Sequence, residues 1–158
     1  TGWRLGYALG NKEILKQMIK IHQYAIMCAP TVSQYAAIEA MYNGDQDVIY
    51  MRESYNQRRR FLYHELQRLG LPCFLPEGAF YMFPDIREFG MTSEDFALDL
   101  LKEEKVAVVP GSAFGDCGEG FIRISYAYSI EELKEALLRI ERYLNRKRSQ
   151  KTESPKQV

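Results

Sequence analysis

The sequence has no excess of either charge: 21 Lys and Arg stand against 21 Asp and Glu. That balance excludes attraction to nucleic acid or to an anionic membrane by bulk electrostatics and favours small-ligand chemistry or protein contacts. Cysteine is scarce. Cys28, Cys73 and Cys117 lie far apart, with no C-x-x-C pair and no histidine beside them, so no metal site is expected and reduced thiols in the cytoplasm fit best. No run approaches the roughly 18 apolar residues that a membrane span needs. The N-terminus shows neither a basic n-region nor an apolar h-region, so export is not expected. Histidine is nearly absent: His22 and His64 both fall at helical positions without a nucleophile or base nearby, which points to packing or solvation. No lysine stands in an apolar setting that would lower its pKa toward Schiff-base chemistry. There is no starting methionine and no internal repeat. The chain opens abruptly on Thr1-Gly2-Trp3-Arg4, and residues upstream of it are expected.

What is present suffices for real cores: 158 residues, 46% of them hydrophobic, make one compact domain or two small ones. Residues 1–10 are glycine-punctuated, carry the single tryptophan and read as a buried strand entered from an unusual turn. Asn11 is the N-cap of a helix from Lys12 to Ala25, with Ile14, Leu15, Met18, Ile19 and His22 at helical spacing. After Pro30, Thr31 or Ser33 starts a second helix through Asn43 with a small-residue face of Ala36, Ala37, Ala40 and Met41. Gly44-Asp45 breaks the pattern. From Gln46 to Leu69 runs a helix free of proline and glycine, roughly 35 Å long and able to join two domains. Val48, Met51, Tyr55, Phe61, Leu62, Leu66 and Leu69 mark its inner side. The run Arg58-Arg59-Arg60 points in three directions round that helix and reads as solvated or salt-bridged.

Beyond Gly70 short strands alternate with helices: Cys73–Leu75, Phe80–Pro84, a helix from Thr92 to Glu104, Val106–Val109, Phe121–Ala127 and a last helix from Ile130. Thr92 or Ser93 caps the first of these helices, with Phe96, Leu100 and Leu101 inward. Ser129 and Glu132 form a capping box ahead of Ile130, Leu133, Leu137, Ile140 and Leu144. The order β-β-α-β-β-α predicts a small α+β layer, one antiparallel or mixed sheet covered by two helices. From Arg146 onward the polar composition predicts a disordered tail.

Two arginines stand out, Arg4 and Arg123, each inside an apolar, strand-like segment where an unpaired charge is costly. Arg123 interrupts Gly120-Phe121-Ile122-Arg123-Ile124-Ser125-Tyr126-Ala127. Its planar fork matches a carboxylate bidentately, so it requires either a structural acid or an anion carried by a ligand.

These segments resemble the pyridoxal-phosphate-dependent class I/II aminotransferases of the aspartate aminotransferase superfamily. The matching stretches are residues 1–7, Pro30-Thr31-Val32-Ser33-Gln34-Tyr35-Ala36-Ala37, Pro76-Glu77-Gly78-Ala79-Phe80-Tyr81, Val108-Val109-Pro110-Gly111-Ser112-Ala113-Phe114-Gly115 and Gly120–Ala127. They follow family order over residues 1 to about 145 and are specific together, though weak singly. In texture they are similar to bacterial enzymes acting on aspartate, aromatic amino acids or N-acetyl-diaminopimelate.

The resemblance implies the fold, α/β with α+β: residues 1–44 as the end of the large cofactor domain, 45–70 as the connecting helix, 71–147 as a small domain with a short sheet covered by helices, and 148–158 as a disordered tail. It implies that Arg4 binds the phosphate of pyridoxal 5'-phosphate and that Arg123 clamps the substrate α-carboxylate. The loops 110–115 and 77–81 would run near the ligand. The Schiff-base lysine is expected upstream of Thr1, as are the tyrosine and aspartate that attend the cofactor ring, so no catalytic residue is assigned within this chain. The implied activity moves an amino group between an L-amino acid and a 2-oxo acid, in a cytoplasmic homodimer, with this chain inactive alone. Rival readings are a carbon–sulfur lyase, an aminotransferase-like regulatory domain and a non-catalytic ligand-binding module.

Overall fold

Asn11 caps the first helix as its short side chain allows, its Oδ1 accepting from the Glu13 N–H at 2.8 Å and starting α1, Lys12–Ala25. The computed structural model describes residues 2–153; Thr1 and residues 154–158 of the expected tail lie outside the described residues. After Pro30 comes α2, Thr31–Asn43, and after Gly44 comes α3, Asp45–Arg68. Two compact units divide the chain, Thr1–Met51 and Arg52–Val158.

In the first unit the expected buried strand is absent: residues 2–10 are exposed and form no strand. A strand needs a neighbour for its backbone groups, and among the described residues every strand comes after residue 80. One fastening holds the segment, the Ser33 hydroxyl donating to the Trp3 carbonyl at 2.8 Å, which explains why Ser33 is buried on an otherwise open helix. No residue of α1 is buried, and its apolar stripe of Ile14, Met18 and Ile19 faces solvent. Val48 and Met51, expected on the inner side of α3, are also exposed.

The second unit has its own core. Leu62 and Leu66 come from the end of α3 and Leu69 from just beyond it, Phe96 and Leu100 from α4 (Ser93–Glu104), and Leu133, Leu137, Ile140, Tyr143 and Leu144 from α5 (Ile130–Glu153). They pack with Met82, Ile86, Ile122, Ile124 and Tyr126. Three short strands, β1 (Tyr81–Met82), β2 (Val109–Pro110) and β3 (Ile122–Ser125), form an antiparallel sheet in the order β1-β3-β2. Tyr81 lies opposite Ser125, and Val109 opposite Arg123. The helix-rich architecture with one small antiparallel sheet agrees with the expected fold class.

Several details differ from expectation. Cys73–Leu75 forms no strand, and Phe74 is 94% exposed; the Cys73 carbonyl accepts from the Gln67 side-chain amide at 3.1 Å, and the chain just before it, at Pro72, accepts the Asp85 N–H at 2.8 Å. Leu101 is 43% exposed, since the face buried by Phe96 and Leu100 does not reach it. The tail is helical further than its composition suggested. Helix α5 continues through Glu153, and its last turns are tied to the unit: Arg148 Nη2 donates to the Leu69 carbonyl at 2.9 Å and to Glu88 Oε1 at 2.5 Å, and Lys151 Nζ donates to the Glu88 carbonyl at 2.5 Å. Besides Asn11, two further caps read from sequence are formed, Thr92 Oγ1 accepting from the Asp95 N–H at 3.1 Å and Ser129 Oγ from the Glu132 N–H at 3.2 Å.

Candidate active site

Strand alternation determines where Arg123 points. Ile122 and Ile124 are buried in the core, so Arg123 and Ser125 project from the opposite face of β3. On that face the guanidinium carbon lies over two aromatic rings, 4.2 Å from the centroid of Tyr81 and 4.7 Å from that of Phe114. Among the described residues Arg123 enters no ion pair and no side-chain hydrogen bond. Among the described residues no sealed-off side-chain nitrogen lacks a partner, so the unpartnered nitrogens of half-buried Arg123 reach solvent. The rings cover the π surface of the cation and leave its N–H edge open, and that edge is the part that recognises a carboxylate.

Tyr81 follows a strained loop. Ala79 adopts φ +58°, a left-handed conformation unfavourable for a residue with a Cβ. Tyr126 holds it there: its hydroxyl donates to the Ala79 carbonyl at 2.9 Å and its N–H to the Phe80 carbonyl at 2.9 Å. Further back, Arg59 Nη1 donates to the Pro76 carbonyl at 2.7 Å while its Nε and Nη2 bind Asn56 Oδ1. Arg59 is therefore a loop anchor, which assigns part of the Arg58-Arg59-Arg60 run a structural role.

Phe114 ends a tight turn, residues 111–114, whose glycine is required by contact. A Cβ on Gly111 would fall 1.9 Å from the Gly118 carbonyl oxygen, and one on Gly118 would fall 2.1 Å from that of Gly111. The turn is fastened to the start of α4, where the buried Ser93 hydroxyl donates to Glu119 Oε2 at 2.8 Å, lies 3.1 Å from Ser112 Oγ and accepts from the Ser112 N–H at 3.3 Å. The Ser93 N–H also donates to Glu119 Oε1 at 2.7 Å, and this bond holds the Glu119 carboxyl below its ordinary pKa. Phe83 completes the face, 6.0 Å from Phe114 and stacked on Phe121 at 5.5 Å.

Arg123 also borders an apolar groove of about 720 Å³ between residues 105–109 and α5, but neither Tyr81 nor Phe114 lines it. The guanidinium, held on those two rings, therefore belongs to the aromatic face of the sheet. Arg4, in the first unit, is exposed at φ +52° and makes no ion pair or side-chain hydrogen bond among the described residues. Its free guanidinium suits a phosphate dianion. The loops 77–81 and 110–115, expected to run near the ligand, each deliver an aromatic ring to Arg123. The anchors Arg59, Tyr126, Ser93 and Glu119 were not read from the sequence; the one available signal was a polar residue within each apolar or turn motif.

Among the described residues no helix is long and apolar enough to cross a membrane, and no group of His, Cys, Asp or Glu is placed to hold a metal ion. The sequence profile of the family described as aminotransferase class I and II matches residues 1–140. A putative aminotransferase, YugH, of Bacillus subtilis is 55% identical over 146 residues, 92% of this chain and 38% of the relative. A probable N-acetyl-LL-diaminopimelate aminotransferase of the same organism is 47% identical over 94% of this chain and 38% of its own length. The crystal structure of an aromatic aminotransferase from Pyrococcus horikoshii superimposes with a TM-score of 0.84 at 46% identity, covering 94% of this chain and 40% of that one. The chain thus spans about 38% of the length of these curated relatives. An arginine presenting its edge from an aromatic face, motifs in family order and a fold shared with solved aminotransferases converge: this chain belongs to the class I and II aminotransferases, a pyridoxal-phosphate-dependent family.

Proposed function

We propose that this chain is the C-terminal part of an aminotransferase that moves an amino group between an L-amino acid and a 2-oxo acid. The observation that carries the reading is the open N–H edge of Arg123, a cation held on two rings with no acid paired to it among the described residues. Arg123 binds the substrate α-carboxylate in two parallel hydrogen bonds, and Arg4 takes the cofactor phosphate. Pyridoxal phosphate supplies the electron sink for the carbon that carries the amino group. The side chains of this chain bind and orient; the lysine that moves the proton belongs to the part of the protein preceding Thr1. On this reading the whole protein is a cytoplasmic homodimer, residues 1–44 close its large domain, and the chain alone transfers no amino group. The donors named for its relatives, aspartate, aromatic amino acids and N-acetyl-LL-diaminopimelate, define the substrate classes to try first.

The test uses the full-length protein, with L-aspartate and L-phenylalanine as donors and 2-oxoglutarate as acceptor. Formation of glutamate supports amino transfer, whereas release of ammonia and pyruvate from cysteine conjugates without glutamate would point to a lyase. Arg123→Leu should raise KM for the donor at least tenfold, the loss of a charge-assisted bidentate pair, with cofactor retention unchanged. Arg4→Leu should do the reverse and lower cofactor retention as read by absorbance of the bound chromophore. An exchange of those two outcomes would overturn the assignment.

A further inference from the structure

We propose that Tyr81 and Phe114 are positioning residues that set the plane in which Arg123 receives its carboxylate, an inference that rests on the reading of Arg123 as the carboxylate clamp. A bidentate carboxylate must lie nearly coplanar with the guanidinium, so affinity depends on the orientation of that plane as well as on the charge. An arginine carries several rotatable bonds and holds no plane by itself. Among the described residues no side-chain hydrogen bond or acid fixes it; the two rings do, at 4.2 and 4.7 Å from the guanidinium carbon.

The arrangement is built from both sides. Tyr81 is placed by the loop that Tyr126 and Arg59 pin, and Phe114 by the turn that Ser93 and Glu119 fasten. Phe83 abuts Phe114, limiting its swing. Separate devices thus deliver two rings to one cation, although neither ring is needed to satisfy a polar group. The Tyr81 hydroxyl makes no hydrogen bond among the described residues, so its contribution to Arg123 lies in the ring. A lysine at 123 would keep the charge and lose the plane.

The experiment uses the full-length protein with L-aspartate and L-phenylalanine as donors and 2-oxoglutarate as acceptor. Phe114 is 48% exposed, so Phe114→Leu should fold, and a thermal melt checks that it does. Removing this ring should raise KM for the donor about fivefold, with kcat within about twofold, because a guanidinium free to rotate weakens ground state and transition state alike. Phe114→Tyr and Tyr81→Phe keep the rings and should keep KM near the parent value, whereas Arg123→Lys should not restore binding. A folded Phe114→Leu with unchanged KM sinks the inference, as does a loss confined to kcat. If Arg123→Leu raises KM while Phe114→Leu does not, the clamp stands without its aromatic support; if neither raises KM, the clamp reading fails as well.

Discussion

Ser93 and Glu119 hold each other through two hydrogen bonds, the Ser93 N–H on Oε1 at 2.7 Å and its hydroxyl on Oε2 at 2.8 Å. The carboxylate thereby fills one of the orphan N–H sites at the start of α4 and ties the 111–114 turn, through Ser112, to the rest of the unit.

That pairing predicts a pH dependence. The Ser93 N–H holds the Glu119 carboxyl below its ordinary pKa, so its contribution to stability is fully present above the unfolded value, about 4.3. It is lost as the pH falls through the lower, folded value. Melting midpoints measured from pH 7 down to pH 3 should therefore converge between the parent chain and Glu119→Gln as the acid limit is approached. Parallel curves over that whole range would show that the latch contributes nothing.

Gly111→Ala should be poorly tolerated. The new methyl would meet the Gly118 carbonyl oxygen 1.9 Å away, and that atom is backbone and cannot turn aside. A loss of about 1–3 kcal/mol, the usual range for overpacking, is expected in urea unfolding. A variant within 0.5 kcal/mol of the parent, roughly the scatter of surface changes, would mean that the turn relaxes freely.

Tyr143→Phe tests the buried face of α5. The Tyr143 hydroxyl donates to Asp99 Oδ2 at 2.8 Å, and burial together with that carboxylate pushes its pKa well above the ordinary tyrosine range. Asp99 keeps Lys147 at 2.6 Å after the change, so no carboxylate is stranded, and the cost should be about 1 kcal/mol. A loss above 3 kcal/mol, the scale of an unpaired buried charge, would show that Asp99 depends on the tyrosine instead of the lysine.

Tyr126→Phe removes the hydroxyl that grips the Ala79 carbonyl but leaves the ring in the core and the N–H bond to Phe80 in place. Global stability should fall by only about 1 kcal/mol. Amide exchange at residues 78–81 should quicken, because a left-handed alanine has lost one of its restraints. Unchanged exchange there would assign the conformation of Ala79 to its neighbours alone.

The sequence made the helices legible because their signals are local. Asn11, Thr92 and the Ser129–Glu132 box each satisfy N–H groups within three residues, and all three form. Periodicity was less complete as a guide. It marks a face that wants cover without saying what covers it, so the stripe of α1 read correctly as apolar and yet lies open in this chain. Strands were harder still. Cys73–Leu75 is as apolar as Phe80–Pro84, but only the second finds a partner across the sheet, and pairing is decided by residues more than 40 positions away. Arg123 was legible as a cation that needs a partner, either a structural acid or a ligand's anion. Its two rings were not, because Tyr81 and Phe114 reach it through one cross-strand register and one turn, neither of which a linear motif displays.

The order β1-β3-β2 places Arg123 on the central strand, paired on both sides. A slip of one residue would exchange the faces of β3, turning the guanidinium into the core beside Phe96 and Tyr143 and expelling Ile122 and Ile124. Burying that charge unpaired would cost several kcal/mol on top of the apolar area lost. Arg123 is thus also a register mark: a cation that must stay off the core side of β3 makes every misaligned sheet unstable, so if it binds the carboxylate proposed above, selection for binding and selection for correct folding act on the same side chain.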